Sequence, residues 1–335
     1  MFVASRRAGP RRLSGNPSDA CAVLQSRVNY KRKSAVWSVC FLAVWLTCSF
    51  LVGVIAVESA LHIPRKPLEP ADEALAQAIG ARNNAAMNEV SIRAEDGIVL
   101  RAWILISKNG NGSAVILLHG QGDNRAGMLG NANIFLQRGY SVLLPDARAH
   151  GTSGGSIVTY GVEEKGDLAR WYSWFQESQT PRCIYGLGES MGAAVLLQTV
   201  AKQPGFCAVI AESSFSSFRE AAYIRLGEEF HAGAWLGRTV LRPAVEVGLI
   251  YARLRYGVNL ALASPIKAVV PSHVPVFLIH GLSDTNIPPY NSERMKAANP
   301  ALKLWEPAGA GHCGAAAAAP VEYESLVIGW LESHT

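Results

Sequence analysis

Ser190 sits in Gly188-Glu189-Ser190-Met191-Gly192, directly after an apolar run at 183–187 and directly before a helical pattern with Val195, Leu196 and Val200 inside. A G-x-S-x-G between strand and helix is a nucleophile elbow. Its glycines are required on steric grounds, since a serine on a sharp turn crowds the residues two positions away, and only residues without Cβ let the backbones close around it. A serine hydroxyl attacks a carbonyl when a base takes its proton and an acid holds that base in one tautomer. Asp284, just beyond the run 276–279, and His312, in the glycine-rich loop after 302–305, have the required types and chain order. The chemistry is then acyl transfer through a covalent acyl-enzyme. Its oxyanion needs backbone N–H donors, expected from Met191 and from Gln121, where Gly120 and Gly122 allow close approach. Glu212 also follows a strand and competes for the acid's role. Asp284 is favoured because its loop should adjoin that of His312. His119 and His280 each end an apolar strand before a glycine and are read as structural.

These residues need a sheet to converge. Residues 90–105 alternate apolar and polar around Asp96-Gly97, which reads as a β-hairpin. Short apolar runs follow at 114–118, 140–144, 183–187, 207–211, 276–279 and 302–305. Between them, Met128, Ala132, Phe135 and Leu136, then Leu168, Trp171, Tyr172 and Phe175, fall on helical faces. Strand and helix alternation implies a parallel sheet with helices on both faces. The interval 213–274 is too long for a crossover and is expected to hold a helical cap. Its Phe218, Tyr223, Phe230, Trp235, Leu236 and Leu241 fit either an acyl pocket or ordinary packing. A final helix should bury Tyr323, Leu326, Val327, Trp330 and Leu331 after the poly-alanine run 315–319.

The chain has 335 residues, 49% apolar and 17% charged, and a net charge of +5. Residues 1–34 carry eight of the 31 basic residues and one of the 26 acids, leaving 23 basic and 25 acidic residues beyond. The folded part is therefore near neutral, which removes nucleic acid as a partner. Residues 35–57 form 23 consecutive uncharged positions, long enough to cross a hydrocarbon core of about 30 Å. The positive-inside rule sets the N-terminus in the cytoplasm and residues 58–335 outside it. A cleaved signal peptide, with Val54-Ile55-Ala56 as its site, is the competing reading. The expected organisation is a basic tail at 1–34, a transmembrane helix at 35–57, a proline-bearing stalk at 58–88 and a domain at 89–335 with its cap at about 213–270. Cys183 and Cys207 open neighbouring strands; a disulfide suits an oxidising compartment, but in-register neighbours on a parallel sheet favour free thiols.

The segments His119-Gly120-Gln121-Gly122, Asp146 to Gly154, Gly188 to Gly192, Ser264-Pro265, His280 to Asp284 and Gly311-His312 together resemble the α/β-hydrolase superfamily. The nearest likeness is to small serine hydrolases of prolyl-oligopeptidase-like and esterase or thioesterase type, over residues 88–333. The resemblance implies an α/β fold with an eight-stranded, mostly parallel sheet, a triad of Ser190, Asp284 and His312, and no cofactor. Arg148 and His150 match the family's Asp-x-Arg-x-His-Gly turn, which implies a loop-holding role. Cys313 after His312 and the poly-alanine run depart from the pattern. The reading is a membrane-anchored hydrolase of a small acyl ester, thioester or amide. A peptidase of prolyl-oligopeptidase-like type and a catalytically silent, membrane-displayed binding module are the alternatives.

Overall fold

The computed structural model describes residues 17–335, so Arg6, Arg7, Arg11 and Arg12 of the basic tail lie outside the described residues. Helix α1 (Pro17–Leu61) runs from the tail through the apolar stretch. It is longer at both ends than the expected 35–57. Its residues up to Ser49 form one unit, and those from Phe50 belong to a second unit that includes the rest of the chain. In the first unit Trp37, Phe41 and Val44 are exposed, so this stretch is apolar without burying its side chains in protein.

The expected stalk, residues 58–88, is part of the second unit and packs against its loops. Arg65 Nη1 donates to the carbonyl of Gly151 at 3.3 Å, and Lys66 pairs with Asp123 at 2.7 Å. Helix α2 (Pro70–Arg82) follows, started by Pro70 and the Glu69/Asp72 capping box, and buries Ala76 and Ile79.

The sheet contains β1 (Ala85–Arg93), β2 (Val99–Ser107), β3 (Ser113–Leu118), β4 (Ser141–Pro145), β5 (Cys183–Glu189), β6 (Val209–Glu212), β7 (Val276–Ile279) and β8 (Lys303–Trp305). Their spatial order is β1-β2-β4-β3-β5-β6-β7-β8. The β1–β2 hairpin is antiparallel, β2 pairs antiparallel with β4, and the remaining pairs are parallel. The helices are α3 (Leu129–Gln137), α4 (Glu164–Gln179), α5 (Met191–Thr199), α6 (Phe218–Glu228), α7 (Gly233–Arg238), α8 (Arg242–Tyr256), α9 (Pro265–Val269), α10 (Tyr290–Ala298), α11 (Ala315–Ala318) and α12 (Pro320–Glu332).

Period-two burial splits the core in two. On β3, Ala114, Ile116 and Leu118 pack with Leu168, Trp171 and Phe175 of α4 and with α5. The intervening Val115 and Leu117 pack with Phe135 of α3 and Tyr323 and Val327 of α12. Every β3 residue is buried, as expected where helices cover both faces. On α12, Ile328 is buried, whereas Leu326 and Trp330 only border the core.

The excursion between β6 and β7 is helical. Helices α6, α7 and α8 form the cap, while α9 returns to α5, with the Ser264 N–H donating to Gln198 Oε1 at 3.1 Å. One expectation is overturned: Cys183 and Cys207 form a disulfide, with Cα atoms 5.8 Å apart. Strand β6 begins at Val209, so Cys207 lies in the preceding loop, where its N–H reaches the Ile184 carbonyl at 2.9 Å. The objection to in-register strand neighbours therefore does not apply.

Candidate active site

Ser190 joins β5 to α5 with φ 51° and ψ −111°, a strained turn for a residue with a side chain. The glycines around it are obligatory. A Cβ on Gly188 would lie 2.6 Å from the Gly192 carbonyl carbon, and one on Gly192 would lie 2.3 Å from the Leu118 carbonyl oxygen. The Ser190 N–H donates to the Glu212 carbonyl at 2.8 Å, which fixes the turn to the neighbouring strand.

Asp284 and His312 reach this turn from the loops after β7 and β8. The Ser190 hydroxyl donates to His312 Nε2 at 2.9 Å, and His312 Nδ1–H donates to Asp284 Oδ2 at 2.8 Å. The other oxygen of Asp284 accepts the N–H groups of Asn286 at 3.0 Å and Ile287 at 2.9 Å. Burial opposes ionisation of Asp284, but hydrogen bonds from His280, His312 and the Ile287 amide outweigh it and hold the carboxyl well below the usual range. The two amides after Asp284 are contributors that residue type alone could not reveal.

Glu212 takes a different position. Its Oε1 accepts the Ala315 N–H at 3.0 Å, and burial, only partly offset by that bond and by His312, raises its carboxyl. It braces the end of the His312 loop. Cys313 has φ 50° and donates its N–H to Ser213 Oγ at 3.1 Å. Burial, reinforced by Glu189 and Glu212, pushes its thiol up, so the cysteine beside His312 is kept protonated.

The Gln121 loop is held by two buried imidazoles. His119 Nδ1–H donates to the Gly120 carbonyl at 2.8 Å, while its Nε2 accepts the Ala147 N–H at 3.1 Å. His150 Nδ1–H donates to the Arg148 carbonyl at 3.0 Å, while its Nε2 accepts the Gly122 N–H at 3.2 Å. Both rings must be neutral to accept. Burial lowers His119, and burial with His119 alongside pushes His150 down to about 4. The N–H groups of Gln121 and Met191 donate to no other group among the described residues. Arg148 makes a two-pronged bond to Asp167 at 2.7 and 2.8 Å and reaches Asp96 at 3.1 Å, tying its turn to α4 and the hairpin. His280 is buried between the Ser292 hydroxyl at 2.6 Å and the Ile287 carbonyl at 2.7 Å.

A cavity of about 730 Å³ opens over Ser190, Gln121 and Met191. Phe218 and Phe230 of the cap excursion line it, whereas Tyr223 is buried and hydrogen-bonded to Glu246 at 2.9 Å, and Trp235 is exposed. Ala244, Val245 and Leu249 of α8 and Ile287 add to the lining, and one further wall is not announced by the sequence: it comes from the end of α1, through Val52, Gly53, Ala56 and Ala60. The available signal was a stripe of small residues at Gly53, Ala56 and Ala60, one helical face inside or beside an apolar run.

A sequence model described as the Alpha/beta hydrolase family matches residues 115–324. The chain is 32% identical over 186 residues to the uncharacterized protein YqkD of Bacillus subtilis, a match covering 55% of this chain and 59% of YqkD. The chain thus spans about three-fifths of that relative's length. It is 28% identical over 214 residues to the uncharacterized protein Rv2307c of Mycobacterium tuberculosis, covering 64% and 67% of the two chains. Among solved structures, the Pyrococcus furiosus esterase Pf2001 is similar with a TM-score of 0.63 and 26% identity, over 82% of this chain and 98% of that one. The Pyrococcus horikoshii acylaminoacyl peptidase shares the fold, with a TM-score of 0.57 and 15% identity over 75% of this chain and 42% of the peptidase.

Proposed function

The chain belongs to the alpha/beta hydrolase family, and on that premise we propose that it is a membrane-anchored serine hydrolase acting on a carboxylic ester or thioester. The family and its fold are the premise; hydrolase activity, the nucleophile, the bond cleaved and the location are the proposal. The observation that carries it is the continuous relay from Ser190 Oγ to His312 Nε2 at 2.9 Å and from His312 Nδ1 to Asp284 at 2.8 Å.

In this reading Ser190 Oγ attacks the substrate carbonyl carbon while its proton passes to His312 Nε2. Asp284, ionised and buried, stabilises the resulting imidazolium and holds the tautomer that accepts at Nε2. The carbonyl oxygen becomes an oxyanion and takes the free N–H groups of Gln121 and Met191. As the tetrahedral intermediate collapses, His312 returns the proton to the leaving alcohol or thiol. A water then repeats the sequence on the acyl-enzyme and regenerates Ser190.

An ester is preferred over a peptide because the esterase similarity spans nearly all of that enzyme, whereas the peptidase similarity covers 42% of its chain. A silent binding module has no use for the relay. A fluorophosphonate probe should label the wild-type protein at Ser190, and a chain that resists labelling while folded sinks the serine mechanism.

The apolar stretch of α1 is read as a single-pass anchor with the cytoplasmic end at the basic tail, so the catalytic domain faces an oxidising exterior. The Cys183–Cys207 disulfide supports that side. Retention of the helix is favoured over signal cleavage after Ala56 because Gly53, upstream of that site, is buried against Ala244 and Gly248 of α8. Protease added to intact cells or spheroplasts should digest residues beyond about 60, and full protection would reverse the orientation.

A further inference from the structure

The end of α1 is built into the hydrolase domain. A Cβ on Gly53 would lie 2.3 Å from the Ala244 carbonyl oxygen of α8, and one on Gly248 would lie 2.9 Å from the Gly53 carbonyl oxygen. The helices therefore touch backbone to backbone. Just past the contact, Glu58 accepts the Tyr251 hydroxyl at 2.6 Å and the Tyr256 hydroxyl at 2.7 Å. The Tyr160 hydroxyl donates to the Ala60 carbonyl at 2.7 Å, and the Val158 N–H donates to the Leu61 carbonyl at 2.9 Å. A tether needs none of this. The same turns present Gly53, Ala56 and Ala60 to the cavity over Ser190, which Phe218 and Ala222 of α6 and Phe230 also line.

Two of these three small residues, Gly53 and Ala56, belong to the uncharged stretch 35–57 that is long enough to span a bilayer. One face of that stretch thus borders the reaction site. The cavity, about 730 Å³, lies within the roughly 300–1,000 Å³ typical of sites that enclose a whole small ligand. Its walls are mainly apolar. Phe230 at the cavity is 56% exposed, and the cap also exposes Trp235 at 66% and Val240 at 47%. Aromatic and aliphatic groups of this kind suit the boundary between headgroups and hydrocarbon.

We propose that the end of α1 is a specificity wall and that the site takes long-chain acyl esters or thioesters resident in the same membrane, the chain lying between α1 and the cap with its carbonyl at Ser190. This rests on the serine hydrolase reading above. The acyl chain passes from bilayer to cavity along an apolar face, and the small side chains of Ala56 and Ala60 leave the room it occupies, while Gly53 lets α1 close against α8 beside it.

The test uses the full chain reconstituted in phosphatidylglycerol vesicles, with p-nitrophenyl acetate supplied in water and p-nitrophenyl hexadecanoate dissolved in the bilayer. Wild-type kcat/KM should rise from acetate to hexadecanoate. Ala56→Trp, which fills the wall, should lower the hexadecanoate-to-acetate ratio by about tenfold or more. Ala222→Trp on the α6 side of the lining should do the same, and fluorophosphonate labelling identifies the variants that fold. A wild-type profile that falls with chain length, or a ratio unmoved in a labelled variant, overturns the proposal without touching the serine mechanism. Absent labelling and absent turnover of both esters in the folded wild type overturn the mechanism itself.

Discussion

The corner that carries Ser190 and the wall that faces it are built on opposite principles. At the corner, position is dictated by backbone: a Cβ on either elbow glycine would lie within 2.6 Å of a carbonyl, and Asp284 is held by two amides and an imidazole. At the wall, helix α1 and the cap present small and aromatic side chains around open space. A corner of this kind tolerates no change in its reacting groups but is indifferent to the length of the substrate. A wall of this kind sets which substrates arrive. Substitutions at the first should act on kcat, and at the second on the ratio between substrates.

The sharpest way to break that division is at Ser190. Under the proposed mechanism, Ser190→Ala should lower kcat by about 10⁶ for every ester that the wild type turns over. Turnover that survived for one chain length alone would mean that the wall contributes to chemistry. Asp284→Asn is next: it retains the shape but admits the wrong His312 tautomer, and kcat should fall by about 10⁴. Glu212→Gln should cost far less, because Glu212 braces the Ala315 amide at 3.0 Å and a glutamine oxygen can accept the same bond. Steady-state kinetics on both variants decide between the acids, and a reversed order would transfer the triad role to Glu212.

The corner also depends on the sheet beneath it. The disulfide from Cys183 at the start of β5 to Cys207 closes a loop with a sequence separation of 24. A loop of that size is worth about 3 kcal/mol in the unfolded chain. Cys183→Ser with Cys207→Ser should therefore lower the urea midpoint by a corresponding amount while leaving the acetate-to-hexadecanoate preference in place. An unchanged midpoint would show that the cross-link adds nothing to the fold.

The corner is legible in the sequence because its constraints are local and ordered. A strand, an elbow and a helix are contiguous at Ser190, and Asp284 and His312 each follow an apolar run in the required order. His119, His150 and Arg148 are legible as loop-holding groups for the same reason. The wall is not. An uncharged stretch satisfies the demands of a bilayer by composition alone, and nothing local distinguishes a face turned to lipid from one turned to Ala244 and Gly248. Cys207 escapes a sequence reading because an apolar run does not mark where its strand begins: hydrogen bonding starts β6 at Val209.

The smallest effect concerns the residue beside Ser190. Glu189 points away from the reacting groups: its Oε1 accepts Asn131 Nδ2 at 2.8 Å, and Asn131 Oδ1 in turn accepts the Tyr323 hydroxyl at 2.9 Å. Burial, with Glu212 on the adjacent strand, pushes its carboxyl from the ordinary 4.5 up to about 8. The folded protein therefore holds a proton that the unfolded chain has released across that interval, and stability contributed by the neutral acid is lost as pH rises from 4.5 to about 8. Glu189→Gln keeps an oxygen for Asn131 and removes the proton. Its melting temperature should match the wild type at the acidic end of the interval and exceed it above pH 8, with turnover of acetate and hexadecanoate esters altered in parallel if at all. Melting curves that run parallel across the whole range would mean that Glu189 is already ionised in the fold, and that the buried side of the elbow is wetter than its packing implies.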